Sequence, residues 1–354
     1  MDSKYDHFSH DNLIRLYQRT PETTLKPSPR VIFSDIHMGD GGRNDDFLWN
    51  SDLVMTVLRD YYAAGNYSLV LNGDIEELQR FSLESIRARW AEVYGLFDGF
   101  EKAGRLTRTV GNHDMDLLRL SNHGFTVDHA VRYRYHGNTI FLFHGHQTSV
   151  QFEKYNWLVG IGLRYFANPL TIKNTSVAQN SLKRFRTEER VYDFASTHKV
   201  LSIIGHTHRP LFESMSKVDT MKFEIERLCR KYPRVSARKQ GAIEATIEGL
   251  KLELHHIRET EDQSASIGSL YSSNFLVPCM FNSGTTVGKR GITCLELNDG
   301  KIALVHWFDE ERSQKHLRYA NYATEKLPGS RYHRVVIKED TLDYIFARIN
   351  LLSD

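Results

Sequence analysis

The sequence predicts an α/β fold in which helices flank buried sheets. Short apolar runs rich in Val, Ile and Phe recur along the chain, and each one closes abruptly at a polar residue. Runs of this kind are typical of buried strands. Helical patterns, from about Asp46 to Ala64 and from about Leu83 to Lys102, lie between the first of these runs. Strands that alternate with helices indicate an α/β domain with helices outside the sheets.

Five of the predicted strands end at clusters of polar side chains. The strand and cluster pairs are Val31–Phe33 with Ser34 and Asp35, Tyr67–Leu71 with Asn72 to Asp74, Leu106–Val110 with Gly111 to Asp114, Thr139–Phe143 with His144 to His146, and Val200–Ile204 with Gly205 to His208. Because sites in α/β sheets form at the carboxyl ends of strands, we expect these clusters to share one site.

Two longer segments interrupt the strand pattern. Residues 148–198 look helical and contain the apolar stretch Tyr155–Phe166, followed by basic residues. Residues 212–262 carry apolar side chains at spacings of three and four on both sides of Pro233, which predicts a two-helix hairpin. Its second stripe is Ile243, Ile247, Leu250, Leu254 and Ile257. We expect this hairpin to mediate self-association or partner docking, unless its two stripes bury each other.

The chain after the hairpin is expected to complete the sheets. The predicted strands are Phe275–Phe281, Gly291–Leu297 and Ile302–Phe308. Residues Asn298 to Gly300 predict a tight hairpin turn between the last two. The predicted organisation is therefore an N-terminal extension (1–28), a core (29–211) containing the helical insertion 148–198, the hairpin (212–262), and closing strands with a C-terminal segment (263–354).

The overall composition limits where in the cell the protein is expected and which partners it is expected to bind. The formal charge of +2 gives no sign of a chain-wide nucleic-acid surface. The three cysteines lie far apart without a CxxC pair, which argues against a disulfide framework or a thiolate zinc site. Neither a signal peptide nor a membrane-spanning run is apparent. We therefore expect a cytoplasmic protein, with peripheral contact to a membrane left open.

The polar clusters contain the ligand types of a centre with two divalent metal ions. Asp35 and His37 are two apart, as are His206 and His208. In an extended segment such pairs point to the same side, so both groups can aim inward. Asp, Asn and His without Cys suit manganese best, with iron or zinc as alternatives.

In order, the blocks D-x-H, GD, GNHD, HGH and GHTH resemble the calcineurin-like metallophosphoesterase superfamily. The resemblance covers roughly residues 30 to 210 and the closing strands, and it implies an αββα sandwich. One metal would then be held by Asp35, His37 and His208. The other would be held by Asn112, His144 and His206, with Asp74 bridging the two. The resemblance further implies in-line attack of a metal-bridging hydroxide on phosphorus, with His113 as the catalytic histidine and Asp114 orienting its imidazole.

Four neighbouring residues have less specific expectations. His146 contacts substrate or simply packs, since the family pattern needs only His144 in that block. Glu76 and Glu77 follow Asp74 and are expected in a solvated turn, with contacts behind the metal ligands as the alternative. Arg209 is a candidate phosphate contact.

The chain carries HG after the fourth strand, a helical insertion before the final block, and GHTHRP. In these features it looks most similar to the UDP-2,3-diacylglucosamine hydrolases. Its insertion offers an apolar segment, Trp157 to Phe166, beside Lys183, Arg184, Arg186 and Arg190. Such a pairing would suit a phosphorylated small-molecule or lipid substrate, such as a nucleotide-sugar or lipid-linked diphosphate, although the apolar segment could also be internal packing. These hydrolases typically carry arginine at the position of His113 and lack the hairpin. A phosphodiesterase or nuclease acting on DNA or nucleotides, and a general phosphomonoesterase, remain the alternatives.

Overall fold

In a computed structural model, the protein contains two β-sheets that lie face to face and are flanked by helices. The structure describes residues 2–120, 124–149, 181–213, 221, 225–226, 228–229, 231–264, 277–313, 317 and 323–353. The predicted α/β class, with helices outside two sheets, is confirmed.

Seven strands form the larger sheet, in the order β11-β12-β10-β9-β2-β3-β4, and five form the smaller, in the order β1-β5-β6-β7-β8. The strands are β1 (Glu22–Thr24), β2 (Arg30–Phe33), β3 (Ser68–Asn72), β4 (Leu106–Thr109), β5 (Ala130–Tyr135), β6 (Asn138–Phe143), β7 (Leu201–Ile204), β8 (Met280–Asn282), β9 (Ile292–Asn298), β10 (Lys301–Asp309), β11 (Thr324–Lys326) and β12 (Tyr332–Thr341). Strands β2, β3 and β4 pair in parallel, as do β6, β7 and β8. Their carboxyl ends therefore lie at one edge of each sheet.

The helices are α1 (Asp2–Arg19), α2 (Ser51–Thr56), α3 (Leu83–Arg89), α4 (Ala91–Lys102), α5 (Ser181–Thr197), α6 (Ala237–Ser264) and α7 (Leu342–Leu352). Short 3-10 turns occur at Asp46–Trp49, Met115–Leu118, His146–Thr148 and Tyr232–Arg234. In the described part of the chain, no helix is both long and apolar enough to span a membrane.

Strand β2 shows how the sequence pattern makes two cores. Val31 and Phe33 point into a cluster that includes helices α2, α3 and α4, whereas Ile32 between them joins the cluster that contains the smaller sheet. All three side chains are buried, because alternate residues of a strand face opposite sides of its sheet. A continuous apolar run is thus what a strand covered on both faces requires.

Helices α1 and α5 cover the smaller sheet. The ring of Phe141 on β6 lies 5.3 Å from that of Tyr17 on α1 and 6.1 Å from that of Phe194 on α5, measured between ring centroids. The insertion predicted at 148–198 therefore ends in a helix that belongs to the core.

Both long helices predicted in the first half are interrupted. The first comprises the 3-10 turn, α2 and a π-helical segment, Val57–Ala63. The second breaks at Trp90, whose indole Nε1 donates to the Gly39 carbonyl at 2.9 Å and to the Asp45 carboxylate at 3.0 Å. Local periodicity does not reveal such a break, because the partners lie far away in sequence.

The turn predicted at Asn298–Gly300 is confirmed. Asp299 and Gly300 have φ angles of 48° and 69°, and Asn298 pairs with Lys301 across the turn between β9 and β10. Two consecutive positive φ angles characterise the two-residue turns that match strand twist. By contrast, within the described part of the strand predicted over Phe275–Phe281, residues 277–279 are not in a strand and β8 begins at Met280.

Parts of two predicted insertions lie outside the described residues, including the segment Tyr155–Phe166 and Val218 of the first hairpin arm. The second arm forms α6 as a 28-residue helix. Met221, Leu228 and Ile243 are buried, although none of them belongs to either of the two main clusters.

Candidate metal centre

The parallel strands deliver their polar clusters to the edge where the two sheets meet. Asn72 at the end of β3 donates through its amide to the carbonyl of Phe143 at the end of β6, at 3.1 Å. His144 in turn contacts the Asn72 carbonyl through Nδ1, at 2.8 Å. These hydrogen bonds join the larger sheet to the smaller sheet directly behind the predicted ligands.

Two motif glycines are required because the chain packs against the predicted carboxylates. A Cβ added to Gly111 would lie 2.1 Å from an oxygen of Asp74, and one added to Gly205 would lie 2.5 Å from an oxygen of Asp35. No side chain fits at such distances. The Gly in GNHD and in GHTH therefore allows one loop to lie directly on the ligand of another.

The backbone at the predicted ligands differs from the extended form expected from the sequence. Five of them have positive φ angles between 52° and 64°, which are rare for residues with side chains. They are Asp35, His37, Asp74, His206 and His208. Strained backbone of this kind clusters at functional sites, where surrounding structure holds it in place. The side chains do converge, but through left-handed backbone rather than by the alternation of a strand.

The first cluster combines Asp35, His37 and His208. His208 Nε2 lies 3.0 Å from Oδ1 of Asp35 and 3.1 Å from Nε2 of His37. The Asp35 carboxylate also accepts the backbone N–H of His206, at 3.0 and 3.1 Å. Its position is thus fixed from the opposite sheet.

The second cluster combines Asp74, His144 and His206. Oδ2 of Asp74 lies 2.9 Å from Nε2 of His144, while Oδ1 accepts the backbone N–H of His113 at 2.8 Å. The same Oδ2 is 4.0 Å from Nε2 of His37. One oxygen of Asp74 therefore faces histidines of both clusters.

The atoms at His144 and Asp74 fit a bound cation. A carbonyl only accepts, so His144 donates to Asn72 through Nδ1, and the neutral ring has a bare Nε2 facing Asp74. Two acceptors at 2.9 Å need a cation between them, either a proton or a metal ion. The nitrogen and carboxylate donor set suits a divalent transition metal.

Asn112 and His113 lie beside these clusters. The Asn112 side chain is buried, and its backbone carbonyl accepts from the Gln79 amide at 2.9 Å. His113 forms a third group of possible ligands with His37 and Asp74. The structure thus brings six of the sequence-predicted ligands to one place, with His113 at their margin: Asp35, His37, Asp74, His144, His206 and His208. The role of Asn112 as a ligand stays a prediction.

Electrostatic effects at the centre follow from buried opposite charges. Burial raises the pKa of Asp74, but His144 and His113 outweigh it and hold that pKa well below its usual value. Burial likewise lowers the pKa of His144, while Asp74 and Asp35 raise it to about 9. His206 behaves differently, because burial and the neighbouring His144 both lower its pKa, to about 3.

Glu77, and not Asp114, orients the His113 imidazole. Oε1 of Glu77 lies 2.9 Å from Nδ1 of His113, and Oε2 lies 3.2 Å from Nδ1 of His37. The Asp114 carboxylate instead accepts backbone N–H groups from Gly111 at 2.6 Å and Ile75 at 2.7 Å. The role expected for Asp114 is therefore corrected: it holds the loops that carry Asp74 and Asn112.

The expectation of a solvated turn at Glu76 and Glu77 is wrong, since both side chains are buried. Both oxygens of Glu76 accept from Nη2 of Arg108 in β4, at 2.7 and 2.8 Å, and Oε1 also accepts from the Tyr94 hydroxyl at 2.7 Å. Buried acids need such partners. The sequence pattern around Glu76 does not indicate this burial, because its partners Arg108 and Tyr94 lie in other elements, β4 and α4.

His146 and Arg209 lie near the centre in different settings. His146 is fully buried, with its ring 5.6 Å from that of His144, and burial is the main reason why its pKa falls well below the usual value. Arg209 lies 3.5 Å from the buried Glu188. Packing therefore explains the position of His146 better than substrate contact does. The Arg209 guanidinium lies next to the Glu188 carboxylate, and its contact with phosphate stays a prediction.

Comparisons with known proteins return only distant similarity. No protein-family model matches the chain, and neither does any curated protein. Among solved structures, YfcE, a phosphoesterase from E. coli, matches with a TM-score of 0.35 at 12% identity, over 89% of this chain and 99% of that one. A protein of Streptococcus pneumoniae TIGR4 described as a predicted phosphoesterase gives 0.29 at 12% identity, over 90% and 99%. At scores this low, the function has to be argued from the residues of this chain.

Proposed function

We propose that this protein is a metal-dependent phosphoesterase, with its catalytic centre at the edge where the two sheets meet. The observation that carries the proposal is the overlap of three groups of potential metal ligands, each with its ligand atoms within 4.8 Å of one another. Asp74 and His37 each belong to two of these groups. Overlap of this kind is what a centre for two neighbouring cations requires.

Asp74 is the proposed bridging ligand. Its Oδ1 is fixed by the backbone of His113, while Oδ2 faces both His37 and His144. Asp35, His37 and His208 would hold one ion. Asn112, His144 and His206 would hold the other, with manganese as the metal we expect in the cell.

The chemistry that two divalent cations supply when bound is polarisation of phosphoryl oxygens and a lowered pKa of water. The contribution of the chain itself is orientation and proton transfer. Glu77 holds His113 by Nδ1 and raises the His113 pKa against the effect of burial, to about 10. A protonated His113, with Nε2 as its other nitrogen, is suited to stabilise phosphoryl charge or to protonate a leaving oxygen.

A nucleotide-sugar or lipid-linked diphosphate is the substrate class that we favour. Support comes from the sequence resemblance and from the basic residues at the start of α5, where Arg186 is exposed and Arg184 half-buried. A phosphodiester of DNA or a nucleotide, and a simple phosphomonoester, are the alternatives. The same centre would serve all of these reactions.

The proposal is tested by metal analysis and hydrolysis with Asp74→Asn. We expect the wild-type protein to bind two Mn²⁺ after reconstitution and to hydrolyse p-nitrophenyl phosphate or its bis ester. Asp74→Asn should bind less metal, because the amide supplies only one ligand oxygen and no charge. Its turnover should fall at least about 100-fold, as is typical when one preorganised electrostatic group is lost.

Asp343→Asn is the matched control, because Asp343 is 72% exposed and lies on α7. It should keep wild-type metal content and turnover. Full metal content and full turnover in Asp74→Asn would refute the bridging role. Absence of hydrolysis of every ester class by the Mn-loaded wild type would refute the phosphoesterase proposal itself.

A further inference from the structure

The segment from His206 to His208 carries two predicted ligands on a strained backbone. Both histidines have left-handed φ angles, 64° and 55°. Thr207 lies between them, is fully buried, and bonds its N–H to the Gly205 carbonyl at 2.7 Å. Such a segment keeps its shape only if its surroundings hold it there.

The Thr207 side chain is held from two directions. Its hydroxyl donates to Oε1 of Glu188 at 2.8 Å and accepts from Nδ2 of Asn282 at 2.9 Å. Nδ2 of Asn282 also donates to the carbonyl of Gly205, at 2.9 Å. Glu188 and Asn282 are both fully buried, so water does not compete for these bonds.

Glu188 comes from helix α5, which ends the insertion predicted at 148–198. Two residues further on, Arg190 donates to the carbonyl of Thr148 at 3.0 Å, in the turn that follows His144 and His146. One helix therefore touches both histidine loops of the smaller sheet.

We propose that Glu188 is a positioning residue of the metal centre. It holds Thr207, and through Thr207 it fixes the directions of His206 and His208. The inference rests on the proposed function, because it assigns these two histidines to metal ions. Helix α5 would then support the metal centre in addition to covering the smaller sheet.

The expected effect follows from the energetics of groups behind metal ligands. Removing such partners typically weakens metal binding by about 10-fold to 100-fold. His206 belongs to one group of ligands and His208 to the other, so a shift of Thr207 should weaken both ions. A residue important only for the core would lower thermal stability without this effect on affinity.

Four variants test the proposal through Mn²⁺ dissociation constants, measured by the EPR signal of free Mn²⁺. Thr207→Val and Glu188→Leu should each weaken binding by about 10-fold or more, because each deletes one partner of the hydrogen bond between the two side chains. Thr207→Ser keeps the hydroxyl and should retain most of the affinity. Glu189→Leu is the matched control, since Glu189 is the exposed neighbour on the same helix, and it should bind as the wild type does.

The double variant Thr207→Val with Glu188→Leu should bind no more weakly than the worse single variant, because Glu188 is proposed to act on the segment through the Thr207 hydroxyl. Wild-type dissociation constants in both single variants would overturn the proposal, as would an equal loss in Thr207→Ser and Thr207→Val. If Glu188→Leu fails to fold, the comparison of Thr207→Val with Thr207→Ser decides alone. Metal bound without hydrolysis in the wild type would refute only the phosphoesterase proposal, since these measurements follow binding.

Discussion

At the scale of single residues, the Glu77 carboxylate holds two histidines at once. Both of its oxygens lie close to Nδ1 of His113, the proposed acid, at 2.8 and 2.9 Å, and Oε2 also lies 3.2 Å from Nδ1 of His37, a proposed ligand. Burial raises the pKa of Glu77, but His113 and His37 outweigh it and lower it to about 2. The Glu77 carboxyl group is therefore ionised at neutral pH. Each histidine has its Nδ1 occupied in this way, which leaves Nε2 for a metal ion or the substrate.

Replacing His113 by alanine separates its two possible tasks. If His113 protonates the leaving oxygen, His113→Ala should lower turnover by about 100-fold to 10,000-fold on an unactivated ester, with metal content unchanged. A nitrophenol leaves without a proton, so its ester should suffer least. Turnover on both esters and metal content by elemental analysis check this expectation.

His136→Ala serves as the control for that experiment, because the His136 side chain is 72% exposed and lies at the surface beside Asp343 and Tyr135. It should leave both rates unchanged. Equal losses on activated and unactivated esters would instead assign His113 to stabilisation of phosphoryl charge. Loss of one metal ion would make His113 a ligand, as its grouping with His37 and Asp74 allows.

At the scale of elements, strands were easier to predict than the loops between them. The five strands that end at polar clusters occur within one or two residues of their predicted limits. Four of them are largely apolar, as strands covered on both faces are. The fifth, β4, has the sequence LTRT and lies at the edge of its sheet. The kink at Trp90 depends on Gly39 and Asp45, and the burial of Glu76 depends on Arg108. Those contacts join distant parts of the chain and have no periodic signal.

The helical hairpin of residues 212–262 offers a prediction at the element scale. Ile243 is buried, Ile247, Leu250 and Leu254 stay partly exposed, and Leu252 is 65% exposed. We expect the exposed part of α6 to mediate self-association. Replacing residues 214–263 by a short Gly-Ser linker should lower the oligomer mass seen by light scattering, while hydrolysis of a small activated ester continues.

The body should survive that excision, because Glu213 remains anchored. Its carboxylate pairs with Lys338 of β12 at 2.9 Å and with Arg348 of α7 at 3.3 Å. Leu252→Glu is a milder variant that keeps the hairpin and should also reduce association. An unchanged mass in both variants, with full activity, would show that the hairpin has no role in assembly.

At the scale of the whole molecule, the centre joins two sheets that are otherwise separate layers. Asp35 and Asp74 follow strands of the larger sheet, whereas His144 and His206 follow strands of the smaller sheet. The sequence allowed this convergence to be predicted, since carboxyl ends of parallel strands share an edge. The contributions of Glu77 and Glu188 could not be predicted, because their partners become neighbours only when helices and loops pack over that edge.

Since ligands from both sheets meet at the centre, metal binding should stabilise the entire fold. A ligand that binds only the folded state adds about 2.7 kcal/mol at a concentration 100-fold above its dissociation constant. We therefore expect the midpoint of thermal unfolding of metal-free protein to rise with each increase in Mn²⁺, and EDTA to reverse the rise. Asp74→Asn should show a much smaller rise, whereas Asp343→Asn should follow the wild type. A midpoint that stays constant while EPR shows Mn²⁺ bound would mean that Mn²⁺ binds the folded and the unfolded chain equally, and that its binding does not depend on the meeting of the two sheets.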